Sequence, residues 1–165
     1  MRPSIAGGEP GAERNDPFSL RILLVEDDLL VSTTEEELLG EMGHQVIARA
    51  TNAREALEAA ARDCPDVALV DIRLADGDSG LDVARALLSR FQVRSIFVSG
   101  SLLAGDGGGS FQGTFPIALV YKPFTMSSLR TALVLAGDVL RNAGAPLAHQ
   151  PRALAGNQAA ARCIG

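Results

Sequence analysis

RILLVEDDLL, residues 21–30, drives an apolar, strand-forming run straight into Glu26, Asp27 and Asp28. Downstream, VALVDIRL (67–74) ends its apolar run on Asp71, IFVSGS (96–101) on Ser99, and VYKPF (120–124) on Lys122. Strands that are apolar along their whole length are the ones buried on both faces, as in parallel sheets. In an open parallel sheet, ligands bind beyond the carboxyl ends of the strands. The polar residues at these ends are therefore expected to meet in one pocket.

Between the strands lie helical patterns. LRILLV is followed by LLVSTTEEELLGEM, QVIARA by NAREALEAAAR, VALVD by LDVARALLSR, and IALVY by SSLRTALVLAGDVLR. Strand and helix in alternation predict a parallel sheet covered by helices on both faces. RSIFVS is followed instead by a glycine-rich segment, SLLAGDGGGSFQGTFP, in which a helix is expected to be short, frayed or absent, since each glycine costs about 1 kcal/mol relative to alanine. Thr51 or Asn52 can cap the second helix and Asp78 or Ser79 the third, through side-chain oxygens that accept from free backbone amides. Gly43 suits the end of the first helix, where a left-handed residue is cheapest without a side chain.

Composition narrows the function classes. The chain has 165 residues, 47% hydrophobic and 21% charged, with a formal net charge of -5, which fits one globular domain. We expect tails at 1–18 and 143–165 around a domain at 19–142, the second tail flexible or weakly helical. The basic residues are scattered, without the run or stripe that a nucleic-acid backbone requires, so no nucleic-acid partner is expected. No apolar run is long enough to cross a membrane, and the N-terminus lacks a secretory signal, so a cytoplasmic location is expected. Cys64 and Cys163 have neither metal-ligand nor framework spacing and read as reduced thiols.

Taken singly, each strand-end residue reads as a cap, a turn or a solvated charge. Together they read as chemistry. Clustered carboxylates raise one another's pKa unless a cation neutralises them. Lys122 offsets part of the charge, and Mg2+, which takes oxygen ligands and is held by one or two carboxylates plus water or phosphate, offsets more. A carboxylate in such a site can attack a phosphoryl group, with the cations and the Ser99 hydroxyl stabilising negative charge on its oxygens.

The set RILLVEDD, VALVDIRLADGDSGLDVA, IFVSGS and YKPF resembles the receiver domain of response regulators in two-component signalling, over residues 19–142. The resemblance implies a flavodoxin-like, doubly wound fold with five parallel strands in the order 2-1-3-4-5. It makes Asp71 the phosphoacceptor and Asp27 a direct Mg2+ ligand. Glu26 becomes a second acid acting on the metal through water, and Arg73 lends it a backbone carbonyl. Ser99 becomes the switch hydroxyl, Lys122 the phosphoryl-pairing lysine, and Pro123 comes after it through a cis bond. Asp28 is left as a helix cap. The implied partners are a histidine kinase and either a histidine phosphotransfer protein or a downstream target, with output through protein contact. The domain is no enzyme in the ordinary sense, although it would catalyse its own phosphorylation and dephosphorylation.

Departures from the family pattern point to stand-alone receivers without an aromatic switch. Leu119 stands where an aromatic residue usually swings, and the loop RLADGDSG is about one residue longer than the common form. With the glycines after Ser99, these suggest a switch in which phosphorylation orders residues 101–116. Two rivals remain at the level of sequence: a receiver-like adaptor that is never phosphorylated, and a metal-dependent phosphohydrolase. The second is disfavoured by Arg73, where its best-known motif has an Asp.

Overall fold

The computed structural model describes residues 18–100 and 111–144. The elements run in the order β1 (Arg21–Val25), α1 (Leu29–Glu41), β2 (Gln45–Ala50), α2 (Ala53–Asp63), β3 (Val67–Asp71), a 3-10 turn (Ala75–Gly77), α3 (Gly80–Phe91), β4 (Arg94–Ser99), β5 (Ala118–Tyr121) and α4 (Met126–Asn142). The five strands form one parallel sheet in the order β2-β1-β3-β4-β5, the doubly wound, flavodoxin-like order expected from the resemblance.

Alternation along each strand divides the apolar residues between two cores. Ile22 and Leu24 of β1, Val67 and Leu69 of β3, Ile96 and Val98 of β4, and Val120 of β5 face α4 and α1, where Leu129, Leu133, Ala136 and Leu39 meet them. On the opposite face Leu23, Val25, Ala68, Val70 and Phe97 meet Ala56, Ala59 and Ala60 of α2 with Leu81, Ala84 and Leu87 of α3. Small alanines on α2 let that helix lie close to the sheet, and the central strands β1 and β3 are buried almost throughout.

Helix ends obey the cap chemistry with one exchange. Asp28 accepts from the amides of Leu30 and Val31 at 2.8 and 3.1 Å and starts α1, and Gly43 lies just past its end at φ +85°. Asn52 accepts from Glu55 at 3.0 Å and starts α2. Ser79 occupies the cap position of α3 without a side-chain hydrogen bond, while Asp78 has turned away to α2. Cys64, in the left-handed region at φ 46°, ends α2. It is disulfide-bonded, which corrects the reading of Cys64 as a reduced thiol; Cys163 lies outside the described residues.

Residues 1–17, 101–110 and 145–165 lie outside the described residues, so most of the tails expected at 1–18 and 143–165 and most of the weak fourth helix expected within 101–116 fall there. From Phe111 to Phe115 the chain is a fastened turn. Phe111 packs edge-on against Phe97 with centroids 5.5 Å apart, Arg85 donates to the Gln112 carbonyl at 3.0 Å, and Arg94 donates to that of Phe115 at 2.8 Å. β5 then enters as an edge strand. Its Val120 is buried, whereas Leu119 and Tyr121 on its other face are 37% and 42% exposed.

At the base of the domain Phe18 lies over Gly137 of α4, with the Arg141 guanidinium 4.5 Å from the ring centroid. A Cβ on residue 137 would lie 2.3 Å from Phe18 Cε1. Gly137→Ala is therefore expected to lower unfolding stability by about 1–3 kcal/mol through overpacking. In a Phe18→Ala background the same change should stabilise by about 1 kcal/mol, the helix propensity gained over glycine; urea denaturation of the four proteins reads the change of sign.

Candidate functional site

Backbone pairing continues past the strands and carries the polar residues with it. Glu26, just after β1, donates its amide to the Ala50 carbonyl at 3.0 Å; Ile72, just after β3, donates to Val98 at 3.1 Å; and Lys122, just after β5, donates to Ser99 at 2.7 Å. The Lys122–Pro123 peptide is cis, after which Thr125 and Ser128 form a reciprocal capping box that opens α4. The Lys122 side chain is thus aimed back over the strand ends.

Its ammonium lies 2.6 Å from Glu26 Oε2 and 2.6 Å from Asp71 Oδ2. Glu26 is 5% exposed, and its other oxygen accepts the Asp28 amide at 3.1 Å. Asp71 Oδ1 accepts the Arg73 amide at 2.9 Å. One ammonium therefore faces two carboxylates, and the pocket stays formally negative even before exposed Asp27 beside it is counted.

Burial raises the pKa of Glu26 above the ordinary carboxylate range, and its bonds to Lys122 and Asp28 pull only part of the way back. For Lys122, burial works against the charge, but hydrogen bonds to Asp71 and Glu26 outweigh it and hold the ammonium above its ordinary value.

Of the residues singled out in the sequence, Glu26, Asp71 and Lys122 meet directly. Ser99 is buried at the end of β4, its carbonyl fixed by Lys122. Arg73 is exposed, with its backbone turned to Asp71. The Asp27 side chain is exposed and makes no hydrogen bond or ion pair among the described residues. Among those residues no three His, Cys, Asp or Glu side chains are grouped to hold a metal by themselves. The donors present are nonetheless all oxygen, and two carboxylates, a neighbouring backbone carbonyl and water make up the kind of set that Mg2+ takes.

Sequence reasoning missed Glu35. This side chain of α1 is 1% exposed, and its Oε1 has no hydrogen-bond partner among the described residues. Burial, reinforced by the negative charges of Glu26 and Asp71 and opposed by Lys122, pushes its pKa from 4.5 up to about 8. The signal was present, since Ser32, Glu35 and Leu39 obey the 3–4 spacing of a core stripe.

Together the sheet order and the acid–lysine constellation define a signalling domain of the receiver type. The family profile of the response regulator receiver domain matches residues 22–133, and the chain belongs to that family. It is 34% identical over 122 residues to the phyllosphere-induced regulator PhyR of Methylorubrum extorquens, a match over 73% of this chain and 46% of that protein. To the transcriptional regulatory protein PdtaR of Mycobacterium tuberculosis it is 29% identical, over 77% of this chain and 61% of the relative. The chain thus spans roughly half the length of these relatives. The solution structure of the receiver domain of Erythrobacter litoralis PhyR superposes with a TM-score of 0.61 at 37% identity, covering 72% of this chain and 89% of that one. No helix among the described residues is long and apolar enough to cross a membrane.

Glu35 predicts a pH dependence. Its folded pKa lies above the unfolded value, so between pH 4.5 and about 8 the folded protein binds the extra proton. The stability it contributes is complete below pH 4.5 and is lost as pH rises towards 8. Glu35→Leu should flatten this slope, gaining about 2–4 kcal/mol relative to the parent between pH 5 and pH 8 at 1.36 kcal/mol per pKa unit. Denaturation at the two pH values measures it, and an unchanged slope would mean that Glu35 does not titrate in that window.

Proposed function

We propose that the chain is the phosphoacceptor of a two-component phosphorelay, taking a phosphoryl group onto Asp71 from a histidine kinase or a histidine phosphotransfer protein in a Mg2+-dependent reaction. Its output is protein contact with a downstream target. The observation that carries the reading is the single ammonium of Lys122 held at 2.6 Å from both Glu26 and Asp71, at the carboxyl ends of three strands.

In the transfer an Asp71 carboxylate oxygen attacks phosphorus in line, the phosphorus–nitrogen bond of the donor breaks, and the imidazole leaves as the neutral base once protonated. The product is an acyl phosphate. Lys122 turns from pairing two carboxylates to pairing a phosphoryl oxygen, an electrostatic role that needs no rebuilding of the site because its backbone is fixed by Ser99. The Arg73 amide keeps Asp71 oriented during attack. Ser99 supplies the hydroxyl that binds a phosphoryl oxygen after transfer.

Glu26, Asp27, Asp71 and the Arg73 carbonyl would hold Mg2+, which when bound neutralises charge on both carboxylates and phosphoryl oxygens. Glu26 answers to the same charge, since an added cation favours its ionised form. The domain, expected at 19–142 and extended at its start by Phe18, which packs in the core, works as a signalling switch that modifies itself.

Incubation with acetyl phosphate and Mg2+ and then intact mass spectrometry test the reading. The parent should gain one phosphoryl group and Asp71→Asn none. Labelling of both proteins would place the acceptor elsewhere, and labelling of neither would leave a receiver-like adaptor.

A further inference from the structure

We propose that Asp78 is a positioning residue for the phosphoacceptor: by fastening the loop after β3 to the first turn of α2, it holds Asp71 and the Arg73 backbone where Mg2+ is taken up. The inference rests on the phosphoacceptor reading and adds to it a residue outside the ion pair.

The loop leaves β3 at Asp71 and returns at Gly80. Its neck is closed, because Gly80 donates its amide to the Ile72 carbonyl at 3.0 Å, and Arg73 and Ser79 pair as an isolated antiparallel bridge. Above the neck, Leu74 enters the core shared by α2 and α3, and Gly77 turns the chain at φ +83°. Asp78 then reaches sideways, its Oδ2 accepting the Ala53 amide at 2.8 Å. Leu74 supplies apolar grip without direction, whereas Asp78 supplies a directed bond to a neighbouring helix.

Helix α2 already has caps of its own. Asn52 accepts the Glu55 amide at 3.0 Å, and the Glu55 carboxylate accepts the amide and hydroxyl of Thr51, both at 2.9 Å. These contacts serve the Glu55 amide and Thr51, while the Ala53 amide is taken by Asp78, so that bond ties the loop to a helix start already capped at Asn52. A shift of that loop has little slack to disappear into. A Cβ on residue 80 would lie 1.9 Å from the Asp71 carbonyl oxygen, so the start of α3 presses against the acceptor's own backbone. The Arg73 amide that orients the Asp71 carboxylate is part of the same neck.

Two caps on one helix make the test clean. Asn52→Ala removes a cap of α2 without touching the acceptor loop, and Asp78→Ala removes the tie between the two. Asp78→Asn discards the charge but keeps an oxygen able to accept from Ala53. Calorimetric titration with MgCl2 should show binding about tenfold weaker in Asp78→Ala, the lower end of what loss of an outer-shell partner costs a metal site, parental in Asn52→Ala, and close to parental in Asp78→Asn. Without metal, amide exchange at Arg73 and Gly80 should quicken in Asp78→Ala alone.

Equal behaviour of Asp78→Ala and Asn52→Ala in these readouts would overturn the proposal, leaving Asp78 a helix cap. Equal weakening in Asp78→Ala and Asp78→Asn would overturn it too, since the effect would then be one of charge. Failure of the parent to bind Mg2+ would strike the phosphoacceptor reading, and the metal-free exchange of Arg73 and Gly80 would still decide whether Asp78 holds the acceptor loop.

Discussion

One ammonium serves two carboxylates, and the arrangement of the sheet ends reflects that shortage of positive charge. Glu26 and Asp71 are separated from Lys122 by 96 and 51 residues in sequence, yet each lies 2.6 Å from its nitrogen. Opposite charges at that range gain several kcal/mol at the intermediate dielectric of a partly buried site. Desolvation removes much of this gain, most of all for Glu26, whose raised pKa records the penalty. The result is a site that is held together and still negative, a condition under which an added cation or a phosphoryl group that recruits Lys122 changes the balance.

The parallel sheet makes such a site possible because it separates support from chemistry. Apolar side chains on both faces of β1, β3 and β4 fix the strands, so the residues one step beyond them inherit a rigid base. Backbone pairing at Glu26, Ile72 and Lys122 extends that rigidity into the site. At β5 the support thins. Val120 is buried, but Leu119 and Tyr121 look outward on an edge strand. Leu119 has no ring to bury or release, so signalling by an aromatic swing at that position is closed to this chain.

Much of this was legible in residues alone. Apolar runs ending in Glu26, Asp71, Ser99 and Lys122 carried both the sheet and its pocket, because burial on two faces and ligand binding at strand ends are properties of parallel sheets in general. The cap at Asn52 and the turn at Gly43 were equally readable as local chemistry. Long-range polar contacts were not. Asp78 reads as a cap for the helix after it, and only the folded loop brings it to α2. Glu35 sits at core spacing on α1, but a carboxylate in a run of three glutamates is taken for surface until the helix is set against the sheet. Asp27, beside Glu26 in sequence, has an exposed side chain that makes no hydrogen bond or ion pair among the described residues.

The central claim, that Glu26, Asp71 and Lys122 form one coupled charge unit, is tested most directly by a mutant cycle on unfolding stability without Mg2+. Lys122→Met is measured in the parent and in a Glu26→Gln/Asp71→Asn background. Removing the ammonium should cost about 3–5 kcal/mol while both acids remain, the penalty for uncompensated buried charge, and far less once they are neutral. Equal costs in the two backgrounds would mean that the three groups are neighbours without coupling, and would contradict the claim.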